Sequence, residues 1–91
     1  MSDPKVYVEV TAAFDRSGKL IPLSLVWEDG RRYIIDRVLD VRPLAAMKAG
    51  GQGERYTIRI GSRQSYLFFE RSASLSGSTI GRWFVERRHP C

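Results

Sequence analysis

The chain has 91 residues, of which 43% are hydrophobic and 27% are charged, and its formal net charge is +5. This length and composition predict one domain over residues 1–91, with an ordered core over about residues 5–88, and they exclude a disordered chain. No apolar run approaches the roughly 20 residues that a membrane helix requires, so we expect no membrane partner.

The two ends of the chain bear on compartment and metal binding. Residues Met1 to Lys5 lack the basic and then apolar layout of a secretory signal, which favours a cytoplasmic bacterial or phage-like protein. The single cysteine, Cys91, is the last residue; it cannot form an intramolecular disulfide and argues against a zinc cluster. We therefore expect no metal and no cofactor.

Charge is distributed unevenly along the chain. Residues 1–30 hold three basic and five acidic residues, whereas residues 31–91 hold twelve basic and five acidic ones. Twelve of the fifteen cations are arginines, whose planar guanidinium group suits phosphate and aromatic faces better than a lysine ammonium does. The asymmetry indicates an anionic partner.

The hydrophobic pattern repeats every two residues, which is typical of strands that bury one face. The first run covers residues 6–14 and ends at a polar turn; the second covers residues 21–28 and ends at an Asp29-Gly30 hairpin signal. Because proline cannot donate a hydrogen bond to a sheet, Pro22 predicts that the second strand begins at an edge or turns its proline outward.

The longest run, residues 32–41, has apolar residues on both faces, so we expect a central strand that bends through a bulge near Asp36 or Arg37. The alanine-rich stretch that follows predicts one short helical turn near residues 43–49, because a proline stands near its start and a glycine after its end. Residues 50–53 form a glycine-rich connector.

Three further runs, residues 55–60, 64–70 and 81–87, complete the chain, with a serine-rich loop before the last of them. Six short strands with a thin core cannot cover both faces of a flat sheet, so the sheet has to curl. The predicted fold is all-β: a small antiparallel six-stranded barrel or strongly curved sheet, SH3-like or of similar type.

The core is expected to come from one alternating face of each strand, although the pattern leaves open which face of the third and fifth strands is inward. The residues expected to face inward are Val8, Val10, Leu23, Leu25, Ile35, Leu39, Tyr56, Ile58, Ile60, Leu67, Phe69 and either Phe84 or Val85.

Catalytic chemistry has little support in the sequence. The only histidine, His89, lies two residues from the end, so a nucleophile–histidine arrangement is not expected. Residues 50–53 lack the Gly-Lys-Ser/Thr ending of a phosphate-binding loop, which favours a mobile connector over a nucleotide cradle. We expect a protein that is not an enzyme.

The arginines of the later strands are the candidate binding residues. Side chains two residues apart on one strand face lie about 6.6 Å apart, which suits successive phosphates of an extended nucleic acid. If the strands lie side by side, cations and rings interleave on one surface; the alternative is a solvated face neutralised by neighbouring glutamates. The candidate residues are Arg55, Arg59, Arg63, Arg82, Arg87 and Trp83.

A family resemblance rests on Pro22, the run Trp27 to Tyr33, the run Val38 to Asp40, the pair Arg55-Tyr56 and the run Gly81 to Arg87. These residues resemble a family of small bacterial all-β domains of unknown function. They are weakly similar to small domains associated with error-prone DNA polymerases. The resemblance implies a DNA-processing protein as a partner and assigns no site residue.

The leading hypothesis is a non-enzymatic, nucleic-acid-associated accessory module that binds phosphates through an arginine-rich face. The alternative is a protein-interaction or homodimerisation module without nucleic-acid binding, in which a free strand edge near Pro22 or the last strand pairs with a second copy.

Overall fold

A computed structural model describes residues 5–44, 52–71 and 80–86, and within these ranges the chain is built entirely of strands and turns. Seven strands form one antiparallel sheet in the order β3-β2-β1-β7-β6-β5-β4. The prediction of an all-β, strongly curved sheet is confirmed. The strands are β1 (Lys5–Phe14), β2 (Leu20–Val26), β3 (Arg32–Ile34), β4 (Arg37–Leu44), β5 (Gln52–Ile60), β6 (Arg63–Arg71) and β7 (Arg82–Glu86).

The curvature follows from the link between β3 and β4. These strands lie at opposite ends of the sheet order, yet only Ile35 and Asp36 separate them in the chain. The amide of Ile35 donates to the Leu23 carbonyl of β2, and the amide of Asp36 donates to the Arg59 carbonyl of β5. Both ends of the sheet are therefore tied to one segment. The predicted third strand is two strands, so the sheet has seven strands rather than six, with the break near the expected bend.

Two β-bulges interrupt the alternation. The β1–β2 register passes from Thr11↔Ser24 to Ala12↔Pro22, which leaves Leu23 as the extra residue. The β4–β5 register skips Leu39 in the same way. Both leucines were expected in the core, but they are 45% and 39% exposed, because the extra residue of a bulge is unpaired and shifts the alternation.

The two strand prolines compare differently with their predicted settings. The sequence predicts Pro22 either at an edge or facing outward; the proline is fully buried, and the edge alternative is the one observed, because the pairing of β2 with β3 begins only at Ser24. Pro43 and Leu44 end β4 instead of beginning a helical turn near 43–49, and residues 45–49 lie outside the described ranges. Proline is tolerated there because β4 is an edge strand.

The core fills the concave side of the curved sheet. Of the expected inward residues, Val8, Val10, Ile60 and Val85 are partly buried against the core cluster. Of the pair Phe84 and Val85, Val85 is the residue that faces the core, because the Phe84 side chain lies on the outward face of the sheet. The core cluster of buried residues consists of Leu25, Ile35, Tyr56, Ile58, Leu67, Phe69 and Trp83.

The bulge at Leu39 predicts a large difference between two leucines that share the same alternating pattern. Leu67 is fully buried, so Leu67→Ala should lower the free energy of unfolding by about 2–5 kcal/mol. Leu39→Ala should lower it by less than about 1 kcal/mol. Urea unfolding of both variants measures this, and equal losses would contradict the bulged register.

Candidate nucleic-acid interface

The outward face of β4 and β5 gathers four arginines. Tyr56 and Ile58 point into the core, so the alternate residues Arg55 and Arg59 point outward from β5. Across the ladder, Arg42 of β4 stands opposite Arg55, and Arg37 stands opposite Arg59. We call Arg37, Arg42, Arg55 and Arg59 the arginine face. Like charges in direct register repel, so both cross-strand pairs are electrostatically unfavourable in the free protein.

One carboxylate lies within the arginine face. Asp40 Oδ2 accepts a hydrogen bond from Arg42 Nε at 2.8 Å. This hydrogen bond lowers the pKa of Asp40 and raises that of Arg42. Within the described ranges, no ion pair forms at Arg37, Arg55 or Arg59. Three of the four guanidinium groups therefore form no ion pair with a described carboxylate, although the charge of Arg55 also helps to lower the pKa of Asp40.

An aromatic ring adjoins the arginine face on β6. The guanidinium carbon of Arg55 lies 4.7 Å from the centre of the Tyr66 ring, and Tyr66 is 37% exposed. The Nε atom of Arg55 is buried and has no hydrogen-bond partner among the described residues. Thr57 stands opposite Tyr66 on the same face but is only 7% exposed. The Arg55 guanidinium thus contacts a ring and makes no hydrogen bond to the described residues.

Three more aromatic rings lie further along the outward face, those of Tyr7, Phe68 and Phe84, and we call them the second aromatic cluster. The Phe68 and Phe84 rings stack in parallel at 4.9 Å, and the Tyr7 ring meets Phe84 edge-on at 5.8 Å. Phe68 and Phe84 are buried, although they are on the side opposite the core. The sequence offered a signal for them, because the adjacent aromatic pairs in β6 and β7 must place one ring on each face.

Glu70 neutralises the basic side chains around this second cluster. Its carboxylate accepts hydrogen bonds from Lys5 Nζ and Tyr7 Oη, each at 3.2 Å, and from Arg82 Nη2 at 3.3 Å. Arg82 also lies 4.3 Å above the Tyr7 ring. Burial raises the pKa of Glu70, but the hydrogen bonds from Lys5 and Tyr7, with the charges of Lys5 and Arg82, outweigh burial and hold that pKa below its ordinary value.

The predicted site residues are only partly brought together. Arg55 and Arg59 share the arginine face, and Arg82 is on the same side of the sheet but is paired with Glu70. Arg63 is exposed, and its register opposite the inward-facing Ile60 places it on the other strand face from Arg59. Trp83 belongs to the core, and Arg87 lies outside the described ranges.

The sequence reasoning missed Arg37 and Arg42. These residues are five positions apart, a spacing that puts side chains on opposite faces of a regular strand. The bulge at Leu39 adds one residue and returns both side chains to the same face. Only the register of the partner strand reveals this.

Other functional features are few in the described part of the chain. No group of three or more histidine, cysteine, aspartate or glutamate side chains that could hold a metal ion occurs there. None of its elements is a helix long and apolar enough to cross a membrane. Comparison with protein-family models, with curated proteins and with solved structures found no match to this chain.

The Glu70 cluster predicts a pH dependence of stability. Because the pKa of Glu70 is lowered on folding, its contribution is present above the ordinary value of 4.5 and is lost as the pH falls through the folded-state pKa. Glu70→Gln should therefore reduce the free energy of unfolding at neutral pH. The difference in this free energy between the wild type and the variant should become smaller as the pH falls. Urea unfolding at pH 7 and at acidic pH measures this; a constant difference would contradict it.

Proposed function

We propose that this protein is a non-enzymatic module that binds single-stranded nucleic acid through the arginine face. The observation that supports the proposal most directly is the placement of two arginine–arginine pairs in register on β4 and β5, with only one described carboxylate, Asp40, among them. An anionic backbone is the partner that would relieve both repulsions at once.

The spacing of the two arginine pairs along β5 also suits contacts with separate phosphates of one backbone. The two cross-strand pairs are four residues apart on β5, which corresponds to roughly 13 Å along the strand. Within each pair the β-carbons are about 5 Å apart, so the two guanidinium groups can bind the same phosphate or two neighbouring phosphates. A backbone that follows β5 would therefore meet cations at both ends of the face.

Tyr66 favours a single strand over a duplex. The Arg55 guanidinium lies over one face of this ring, and the ring is 37% exposed, so a splayed base would stack on the guanidinium plane or on the exposed part of the ring while the other arginines hold the backbone. In a duplex the bases are already stacked on each other and do not reach a ring on a convex sheet surface. Aromatic stacking together with unneutralised cations is the combination that single-strand binding requires.

The matched test compares two double variants that remove equal charge. Arg37→Gln with Arg59→Gln acts on the arginine face, whereas Arg16→Gln with Arg31→Gln acts on exposed turn residues elsewhere. We expect the first pair to weaken binding to a fluorescein-labelled oligothymidylate at least about tenfold, and the second pair to change it little. Fluorescence anisotropy over a salt series measures both; the salt slope should fall by about 0.7 for each phosphate that the variant no longer neutralises.

The same face variant should not destabilise the fold. Removing the repulsion between Arg37 and Arg59 is expected to leave the free energy of unfolding unchanged or to raise it by about 0.5 kcal/mol. Weaker binding together with equal or higher stability would mark these arginines as ligand contacts. No binding by the wild type at low salt, or equal losses in the two double variants, would overturn the proposal.

The homodimer alternative has its own support in the edge near Pro22, where the first half of β2 is unpaired, and in the edge of β4, which pairs only with β5 among the described strands. The other edge expected from the sequence, that of the last strand, is wrong, because β7 pairs with both β1 and β6. Light scattering distinguishes the two functions. A monomer that binds the oligonucleotide supports the nucleic-acid proposal, whereas a dimer that persists at high salt and does not bind the oligonucleotide supports the alternative.

A further inference from the structure

The concave side of the sheet holds a groove that the proposed function does not use. It has a volume of about 940 Å³ and opens between the first half of β2 and β4. Tyr56, Phe69 and Trp83 form its floor: the Trp83 ring centre lies 5.3 Å from that of Tyr56 and 4.8 Å from that of Phe69. This volume and this mainly apolar lining are typical of sites for small molecules.

The groove is open because the strands that border it do not pair with each other. β2 is unpaired on that side from Leu20 to Pro22, and β4 pairs only with β5 among the described strands. Each of the two strands contains a proline, Pro22 or Pro43, which has no N–H to offer a further strand. Apolar side chains at the rim remain accessible: Phe14, Val41 and Ile80 are 66%, 45% and 70% exposed.

Glu54, which lines the groove, has one carboxylate oxygen without a hydrogen-bond partner among the described residues. Glu54 Oε2 accepts a hydrogen bond from Arg71 Nη1 at 2.6 Å, but Glu54 Oε1 is buried and no described donor reaches it. The hydroxyl of Tyr56, also in the groove lining, cannot serve it, because it donates to the Leu20 carbonyl at 2.7 Å. A carboxylate that is engaged in an ion pair can only accept hydrogen bonds, so Oε1 lacks a donor. Because this oxygen is shielded from solvent, a ligand donor reaches it only when the Glu54 side chain turns toward the groove.

We propose that the groove binds a small, flat aromatic molecule that carries one N–H donor, with the ring against the aromatic floor and the donor on Glu54 Oε1. The donor need not carry a positive charge, because Arg71 already balances the Glu54 charge and Lys19 adds a further cation to the groove lining. This chemistry differs from that of the arginine face, which lies on the opposite side of the sheet and calls for an anion.

The test uses indole and benzofuran, which have nearly the same shape but differ in the N–H group. NMR titration of the ¹⁵N-labelled chain follows the side-chain N–H signals of Trp83, which lines the groove, and of Trp27, which does not. We expect indole to shift the Trp83 signal alone and to bind at least about tenfold more tightly than benzofuran. Equal affinities would overturn the role of Glu54, and no shift at Trp83 would overturn the site.

Two exposed isoleucines provide matched variants. Ile80 lines the groove, whereas Ile34 lies on β3 and is similarly exposed, at 60%. Ile80→Ser should weaken indole binding several-fold, whereas Ile34→Ser should leave it unchanged; equal effects would contradict the assignment. The variant Arg37→Gln with Arg59→Gln should bind indole like the wild type, so this test is independent of nucleic-acid binding.

Discussion

The fold depends on two consecutive amides that bond in opposite directions. Successive N–H groups of an extended segment point to opposite edges, and Ile35 and Asp36 use this alternation to bond β2 on one side and β5 on the other. The Asp36 carboxylate also accepts the Gly61 amide at 2.6 Å, which fixes the β5–β6 turn beside this link. A sheet whose two ends are tied to a two-residue segment cannot stay flat, and its concave and convex faces follow from that constraint.

The convex face carries two groups of cations, one structural and one without ion pairs among the described residues. On the convex side, Lys5 lies 4.8 Å from the Phe84 ring centre and Arg82 lies above Tyr7, so their stems and charges cover the second aromatic cluster while Glu70 balances them. At the β4–β5 end of the same side, Arg37 and Arg59 have neither a ring contact nor a carboxylate partner among the described residues. Net charge alone could not distinguish these two groups, whereas their contacts do.

How far the sequence predicts the structure depends on the continuity of the ladders. The β5–β6 register runs without a shift from Gln52 to Ile60, and on β5 alternation correctly identified the inward residues and the outward pair Arg55 and Arg59, whereas it left the inward face of β6 open. It failed at Leu23 and Leu39, because a bulge is decided by the register of the neighbouring strand and leaves no local signal. Because of the bulge at Leu39, alternation did not place Arg37 and Arg42 of β4 on the arginine face. The unpartnered carboxylate oxygen of Glu54 could not be predicted either, because it depends on side-chain positions that no sequence pattern gives.

Strand β5 supplies both candidate sites by alternation alone. Its outward residues, Arg55 and Arg59, belong to the arginine face, and its inward residues Glu54 and Tyr56 line the groove. A slip of one residue would exchange the two sets and place guanidinium groups in the core, so the register is strongly specified by burial. Because β4 and β6 clamp β5 on both sides, a side chain on one face can change without moving the other face. One short strand can thus carry two unrelated chemistries.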